Sequence, residues 1–532
     1  MPAPAPALRP SPALAAFLLV AFSTLLHVAY AGVIPLSPQE AYYWQYARHP
    51  ALSYFDHPPL AAWTIRATTA LLGDSERAIR LAAALWSGVF SLFFFLAGRR
   101  LLGAQVALAA TAGMLVVPFF SLGQTVITPD GPLVAGWVAA LYFSVRALQE
   151  ERGPWLLAAG VAAGVASLGK YTGWLLAPQI LLLLVSDPRG RRMLAGPWPW
   201  LGLALAAAVF SPVVAWNATH GWKSFGFQFA QRGAEMRRLE WIQTGRFLGL
   251  QALAVSPLLF LVLLAAAAAA ARRWREPAMR ACAIFSVPLL LLLLAVSPLH
   301  WVKMNWAAPA YPTALLAAMA IYAERPARWR GWMVATVAVA AFGTLYMTLF
   351  PLVRAVPFPA RDATTEGWRE LAARVERERW APGGAPPAGS AAGGAAPPGP
   401  AAARGEPGGG PAAGSAPAAG PAAAPALPRP VVGCFYRVPS TLAFYLPGRP
   451  ETFSSNAFGE PGLAYDDWGD PAALAGREVL VVLDDRDPGW CRRRAERCDP
   501  LIPLEPLEVR RGSGRVTTFR LWRCGYLGPP PR

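Results

Sequence analysis

Long apolar runs, broken at intervals by short polar turns, organise the first two thirds of the chain. About 20 consecutive apolar residues span the ~30 Å hydrocarbon layer of a bilayer. Eleven runs approach that length, near 12–31, 80–98, 103–121, 131–148, 154–169, 171–186, 195–216, 247–270, 279–298, 306–323 and 331–351. The pattern predicts a mainly α-helical, polytopic membrane domain over residues 1–351 with eleven transmembrane helices. The first run ends in Ala29-Tyr30-Ala31, similar to a signal-peptidase site, but its length favours a retained helix. Leu60–Leu72 is apolar with Trp63 and Arg66 at its rim and reads as a short helix in the interface.

The pattern changes after residue 351. Residues 352–380 lead outward, and Trp368, Leu371 and Val375 keep helical spacing. Residues 381–428 are Ala, Pro and Gly except for Ser390, Arg404, Glu406, Ser415 and Leu427. Such a stretch has too little apolar surface to offset its ordering entropy, so it reads as a disordered linker. Beyond it, strand-like runs at 431–436, 478–483, 507–510 and 516–522 alternate with helical segments at 440–446 and 490–498. Residues 429–532 are therefore expected to form a small α/β domain.

Composition sharpens this picture. Hydrophobic residues make up 55% of the chain and charged residues 15%, against about 25% charged in a typical soluble domain. Residues 1–351 carry 26 basic and 12 acidic side chains, and the remainder carries 22 and 19. A soluble enzyme is excluded for the apolar part. The positive excess is interleaved with apolar blocks rather than gathered on one polar domain, so no nucleic-acid partner is expected. Arg9, Arg99/Arg100, Arg146/Arg152, Arg189/Arg191/Arg192, Arg272/Arg273/Arg275/Arg280 and Arg325/Arg328/Arg330 fall in every second turn. That asymmetry places the N-terminus in the cytoplasm, and eleven crossings then place the C-terminal domain outside it. Cys434, Cys491, Cys498 and Cys524 lie on that oxidising side; three pairings are open, as are free thiols. Cys282, within a membrane run, reads as a packing residue.

The apolar runs hold almost no charge near their centres, where transporters and pumps usually place ionisable groups. A lipid or polysaccharide transporter is the alternative reading, and a non-catalytic membrane scaffold another. The polar residues instead gather at the outer edge. There, Ser37-Pro38-Gln39-Glu40-Ala41-Tyr42-Tyr43-Trp44 is followed by Tyr54-Phe55-Asp56-His57-Pro58-Pro59-Leu60. Carboxylates serve to take a proton or to hold a metal or sugar, and Tyr and Trp suit both sugar faces and the headgroup belt. The loop 217–246 adds Lys223, Arg232, Arg237 and Arg238, suited to phospholipid headgroups or an anionic acceptor.

These two motifs together resemble the first outer loop of the bacterial polyprenyl-phosphate-sugar glycosyltransferases. That group is related to the protein mannosyltransferases (glycosyltransferase family 39) and to the aminoarabinose transferase that modifies lipid A. Ile127-Thr128-Pro129-Asp130-Gly131-Pro132-Leu133, Gly169-Lys170-Tyr171-Thr172-Gly173, His300-Trp301, Asn305-Trp306 and Pro309-Ala310-Tyr311-Pro312 fit the same family in order, and Ser440–Gly448 resembles its outer domain. The resemblance implies the GT-C membrane architecture. It further implies an inverting transfer of one sugar from a polyprenyl phosphate to an acceptor on the outer face of a bacterial plasma membrane. The acceptor is a glycolipid such as lipid A, another glycan or a protein.

The family's first motif often reads Asp-Glu where this chain has Gln39-Glu40. The expected general base is therefore Glu40 or Asp56. Asp130 is expected to orient acceptor, sugar or metal, or else to cap its helix. Of 48 basic residues only Lys170, Lys223 and Lys303 are lysines. Lys170 is the first candidate for the donor phosphate, Lys303 with His300 the second, and interfacial anchoring is the competing role. His57 bonds the phosphate, positions Asp56 or stabilises a turn. Tyr42, Tyr43, Trp44, Tyr54, Asn305 and Tyr311 are the candidates for sugar or acceptor contact. No cofactor is required by the sequence; Glu40, Asp56 and Asp130 could together hold a divalent metal, but no ligand spacing demands it.

Overall fold

The computed structural model describes residues 10–231, 239–353, 364–380 and 427–530. The expected disordered linker and Arg232, Arg237 and Arg238 of the loop 217–246 fall almost wholly or wholly outside the described residues. Two compact units divide the chain. One comprises residues 1–366 with 463–468 and 510–516; the other comprises 367–462, 469–509 and 517–532.

The first unit is a helical bundle. Among the described residues, six helices are long and apolar enough to cross a membrane: Pro12–Ala31, Glu76–Leu102, Asp130–Glu150, Trp198–Thr219, Pro277–Val296 and Pro326–Leu349. A multi-pass membrane protein follows from these alone. The eleven expected spans are thus not eleven uniform helices. The run 247–270 is two helices, Trp241–Val255 and Pro257–Arg272, bent by 105°. Pro257 has no N–H to continue the ladder, and Ser256 before it sits at φ 83°, outside the helical region. The run 103–121 is likewise interrupted before Pro118, giving Ala104–Leu115 and Pro118–Leu122. The run 306–323 opens as a 3-10 turn, Met304–Ala310, that yields to Tyr311–Glu324 across Pro309 and Pro312. The runs 154–169 and 171–186 form shorter apolar helices.

Asp130–Glu150 is the central helix, buried along almost its whole length, with Trp137 and Leu141 near zero exposure. Close approach of its neighbours depends on small residues. A Cβ on Gly160, in Trp155–Gly169, would lie 2.0 Å from the carbonyl oxygen of Gly202 in Trp198–Thr219. Leu60–Leu72 forms the expected short helix. Cys282 is fully buried in the core, as its packing role requires.

The second unit is built on a sheet of β1 (Val431–Gly433), β2 (Thr452–Phe453), β3 (Glu478–Asp484), β4 (Cys498–Pro503), β5 (Leu507–Arg511) and β6 (Gly514–Tyr526), in the order β2-β1-β3-β6-β4 with β5 also against β6. β1 runs parallel to β2 and β3, and β6 runs antiparallel to β3 and β4. Two strands were hidden from the sequence. β2 is two residues long, and β4 carries Pro500 and Pro503, which suit only an edge. The expected helix at 490–498 shrinks to one turn, Arg494–Arg497, because Cys498 begins β4. Trp368–Trp380 is helical and sets Trp368 against Phe519, ring centroids 5.1 Å apart. The cysteines pair as Cys434–Cys491 and Cys498–Cys524.

Gly160→Ala should lower the thermal midpoint of the purified protein, since overpacking against backbone costs about 1–3 kcal/mol. Gly88→Ala, where a Cβ meets nothing within 4 Å, should not lower it. Equal midpoints for the two variants would refute the close helix contact.

Candidate active site

The Pro38–Arg48 helix begins with a capping box. Ser37 Oγ accepts from Glu40 N at 3.3 Å, and Ser37 N donates to Glu40 Oε2 at 2.9 Å. The Glu40 carboxylate also takes both prongs of Arg80, Nε to Oε1 at 2.8 Å and Nη2 to Oε2 at 3.0 Å. Arg80 further donates to the carbonyls of Ala31, Ile34 and Pro35 at 2.6–2.9 Å. Both side chains have no exposed surface. This ion pair ties the Glu76–Leu102 helix to the turn after Pro12–Ala31. Glu40 is thus consumed by structure, and its carboxylate is not on the cavity described below. Arg80 escaped the sequence reading; its signal was an arginine at the very start of an apolar run.

Asp56 is the other carboxylate of the loop. Tyr42 Oη donates to Asp56 Oδ1 at 3.2 Å, Tyr46 Oη donates to the same oxygen, and Gln228 Nε2 donates to the Asp56 carbonyl at 2.7 Å. His57 Nε2 lies 3.9 Å from Oδ2. Burial raises the Asp56 pKa, against the lowering pull of the Tyr46 and Tyr42 hydroxyls and of the Lys303 charge. Burial likewise holds the Tyr46 hydroxyl well above its ordinary pKa, aided by the neighbouring Asp56 charge.

An aromatic cluster fixes these tyrosines. Tyr54 stacks on Tyr46 with centroids 4.1 Å apart and donates to the Tyr46 carbonyl at 2.7 Å. Residues 463–468 of the same unit complete the cluster. Ala464 N donates to Tyr42 Oη at 3.1 Å, Tyr465 stacks on Tyr42, and Trp468 packs edge-on against Tyr46 and flat on His49. Lys223 pairs with Asp467. Tyr42 and Tyr54, expected at a sugar, are thus bound up around Asp56. Trp44 is buried and donates to Asp74 Oδ1 at 2.8 Å, and Tyr311 donates to Gln251 at 2.6 Å inside the bundle. None of these four lines the cavity, because each side chain is turned into packing.

That cavity, beside Asp130, has a volume of about 610 Å³. Its polar rim includes Gln39, Tyr43, His57, Asp130, Lys170, His300, Lys303 and Asn305. Its apolar wall comes from Trp174, Phe210, Phe225, Leu289, Leu292 and Leu293. Asp130 is the first residue of its helix but makes no capping bond there. Its carboxylate instead accepts from Lys170 Nζ at 2.8 Å and from Asn305 Nδ2 at 2.6 Å. Three segments far apart in sequence meet at this one group. Tyr43 packs edge-on to His57 at 5.7 Å, and His300 stacks with Trp306 at 6.0 Å. Tyr171, whose hydroxyl lies 2.5 Å from Ser224 Oγ, and Gln228 also line it; Tyr171 figures in the sequence reading only as part of its motif, and Gln228 does not figure in it.

Glu40, Asp56 and Asp130 do not assemble as a metal site. Each has its own partners, and among the described residues no group of three or more His, Cys, Asp or Glu is placed to hold a metal.

Residues 56–216 match the family described as dolichyl-phosphate-mannose-protein mannosyltransferase, a match that takes in Asp56, Asp130 and Lys170. The lipid A galacturonosyltransferase RgtD of Rhizobium johnstonii is 25% identical over 302 residues, which cover 54% of this chain and 61% of that protein. The crystal structure of ArnT from Cupriavidus metallidurans in the apo state is similar with a TM-score of 0.62 at 16% identity, covering 95% of this chain and 97% of that one. The same enzyme bound to undecaprenyl phosphate gives 0.61 at 17% identity with the same coverage.

Arg80→Met should strand the Glu40 charge and destabilise the protein by about 3–5 kcal/mol. Thermal unfolding should show a far larger loss than for Arg48→Met; equal losses would contradict the structural role of the pair. With these likenesses beside the geometry, the chain shares the overall fold of the ArnT crystal structures.

Proposed function

We propose that this protein is an inverting glycosyltransferase that moves one sugar from a polyprenyl phosphate to an extracytoplasmic acceptor, with a lipid A-type glycolipid as the favoured acceptor class. One observation carries the reading: a single cavity joins a polar rim bearing two lysines and two histidines to a wall of apolar side chains. A lipid phosphate is an amphiphile of that shape. The names of RgtD and ArnT support the donor and acceptor classes.

In this proposal Asp56 is the general base. The acceptor oxygen attacks the anomeric carbon from the face opposite the phosphate, and its proton passes to Asp56. The bond from that carbon to the phosphate oxygen breaks, and its electron pair leaves on the carrier phosphate. Lys170 and Lys303, with His57 and His300, meet the charge that develops there. Asp130 and Asn305 hold Lys170 in place, and Tyr43 offers a ring face to the sugar. Tyr42 and Tyr46 are positioning residues that fix the Asp56 carboxylate. The N-terminus is cytoplasmic, the cavity opens at the outer leaflet of the bacterial plasma membrane, and the residues after 351 lie outside.

Asp56→Asn should lower kcat by about 10²–10⁴-fold with a labelled polyprenyl-phosphate sugar, and Lys170→Ala should also lower kcat. Glu40→Gln should act through stability instead, leaving the kcat of the folded fraction near wild type. Wild-type kcat in Asp56→Asn would remove the base assignment.

Because the base works ionised and burial raises its pKa, activity should fall as pH drops through the raised Asp56 value. Tyr46→Phe removes a donor that stabilises the carboxylate, so the acid limb should move to higher pH. An unmoved limb would separate Tyr46 from the base.

A membrane-impermeant maleimide should label Leu52→Cys on intact cells and Arg330→Cys only after permeabilisation. The reverse pattern would invert the orientation and end the proposed chemistry.

A further inference from the structure

At the end of the bundle away from Asp130, a second cavity of about 660 Å³ is lined almost wholly by apolar side chains. Four helices form it: Ala104–Leu115, Pro257–Arg272, Tyr311–Glu324 and Pro326–Leu349. Small residues, including Ala112, Gly113 and Ala266, hollow it out, and Trp332, 57% exposed, stands at its rim. Its size matches ligand sites, which run to about 300–1,000 Å³.

Two further observations say what fills it. Thr336 lines the cavity, is 5% exposed, and its Oγ1 has no hydrogen-bond partner. A helical threonine usually returns its hydroxyl to the preceding turn; this hydroxyl is left for an acceptor supplied from the cavity. Arg325, Arg328 and Arg330 stand on the first turns of the same helix, exposed, with Arg328 5.1 Å over the Trp329 ring. None of the three has an ion-pair partner among the described residues. By contrast, Arg273, on the neighbouring helix, is neutralised by Glu276 and Glu324.

We infer that this cavity binds an anionic glycerophospholipid, with an acyl chain in the apolar hollow, an ester carbonyl accepting from Thr336 and the headgroup phosphate among Arg325, Arg328 and Arg330. Spacing along the helix suits that order: six residues from Arg330 to Thr336 rise about 9 Å, a span that an extended arginine side chain shortens. A polyprenyl phosphate has a phosphate and an apolar chain but no ester carbonyl, so it leaves Thr336 unanswered. The inference stands apart from sugar transfer and survives if that reading fails.

Native mass spectrometry of the detergent-solubilised full chain tests it, with phosphatidylglycerol and phosphatidylethanolamine of matched acyl chains. Phosphatidylglycerol should bind about tenfold more tightly, in keeping with three surface arginines. Replacing Arg325, Arg328 and Arg330 together by Gln should remove that preference. Thr336→Val should weaken both lipids several-fold. A Cβ on Gly113 meets only Leu315, at 3.9 Å, so Gly113→Leu should fill the hollow and abolish retention of both. Equal retention of the two lipids by the wild type would overturn the inference. So would displacement of phosphatidylglycerol by equimolar polyprenyl phosphate, or unchanged binding in Thr336→Val, which keeps the side-chain shape and needs no repacking.

Discussion

At the edge of an apolar bundle a charge persists only when its partners are built in. Desolvating an ion costs several kcal/mol even after relaxation, and good pairing must offset that. The constraint explains the fate of nearly every buried charge in the first unit. Glu40 is matched by Arg80, Asp187 by Arg280 at 2.8 Å, and Asp130 by Lys170. The first two pairs are closed. Asp187 also accepts from Arg189, and the Arg80 guanidinium is saturated by carbonyls. The third pair differs because it lies on a cavity wall. Lys170 has three N–H donors, and the pair with Asp130 draws on one.

How far these distinctions were legible in the sequence depends on what kind of signal carried them. Apolar length is a local property, and it located the long helices of the bundle but not the polar helix Pro38–Arg48. The breaks at Pro118 and Pro257 lay inside runs read as single spans, and only the structure shows them. The candidate residues were found by motif, and the motif ranks a residue without saying where its side chain points. Glu40 and Asp56 are both acids in one polar loop. Glu40 sits three residues after Ser37, and in the structure the two close a capping box. Asp56 has no such local partner. Its tyrosines come from the preceding helix and its backbone partner from Gln228, 172 residues away, and no local pattern reports such a contact.

Residues 463–468 make the same point in the other direction. They lie in the stretch expected to form a separate outer domain, yet they pack with the first unit around Tyr42, Tyr46 and His49. Leu463 has φ 57°, an uncommon conformation for a leucine, at the entrance to this segment. Composition sees only a polar stretch with two aromatics there. The consequence for chemistry is concrete. The tyrosine that donates to Asp56 also accepts from the backbone of this segment, so its hydroxyl hydrogen is directed to the carboxylate rather than left to rotate.

The uncharged Gln39 on the cavity can then be understood through charge. Under the proposed function, the cavity must receive a phosphate and also hold an ionised base. Gln39 lines the cavity and brings no charge, while Glu40 beside it is neutralised by Arg80. The rim thus keeps Asp130, paired to Lys170, and the nearby Asp56, whose charge Lys303 also feels. A second free carboxylate at position 39 would oppose both the incoming phosphate and the ionisation of Asp56, since like charges in a low-dielectric site raise each other's pKa. If Asp56 is the base, as proposed, it is a single carboxylate held by the Tyr42 and Tyr46 hydroxyls, beside a cavity rim that carries Lys170, Lys303 and no second unpaired acid.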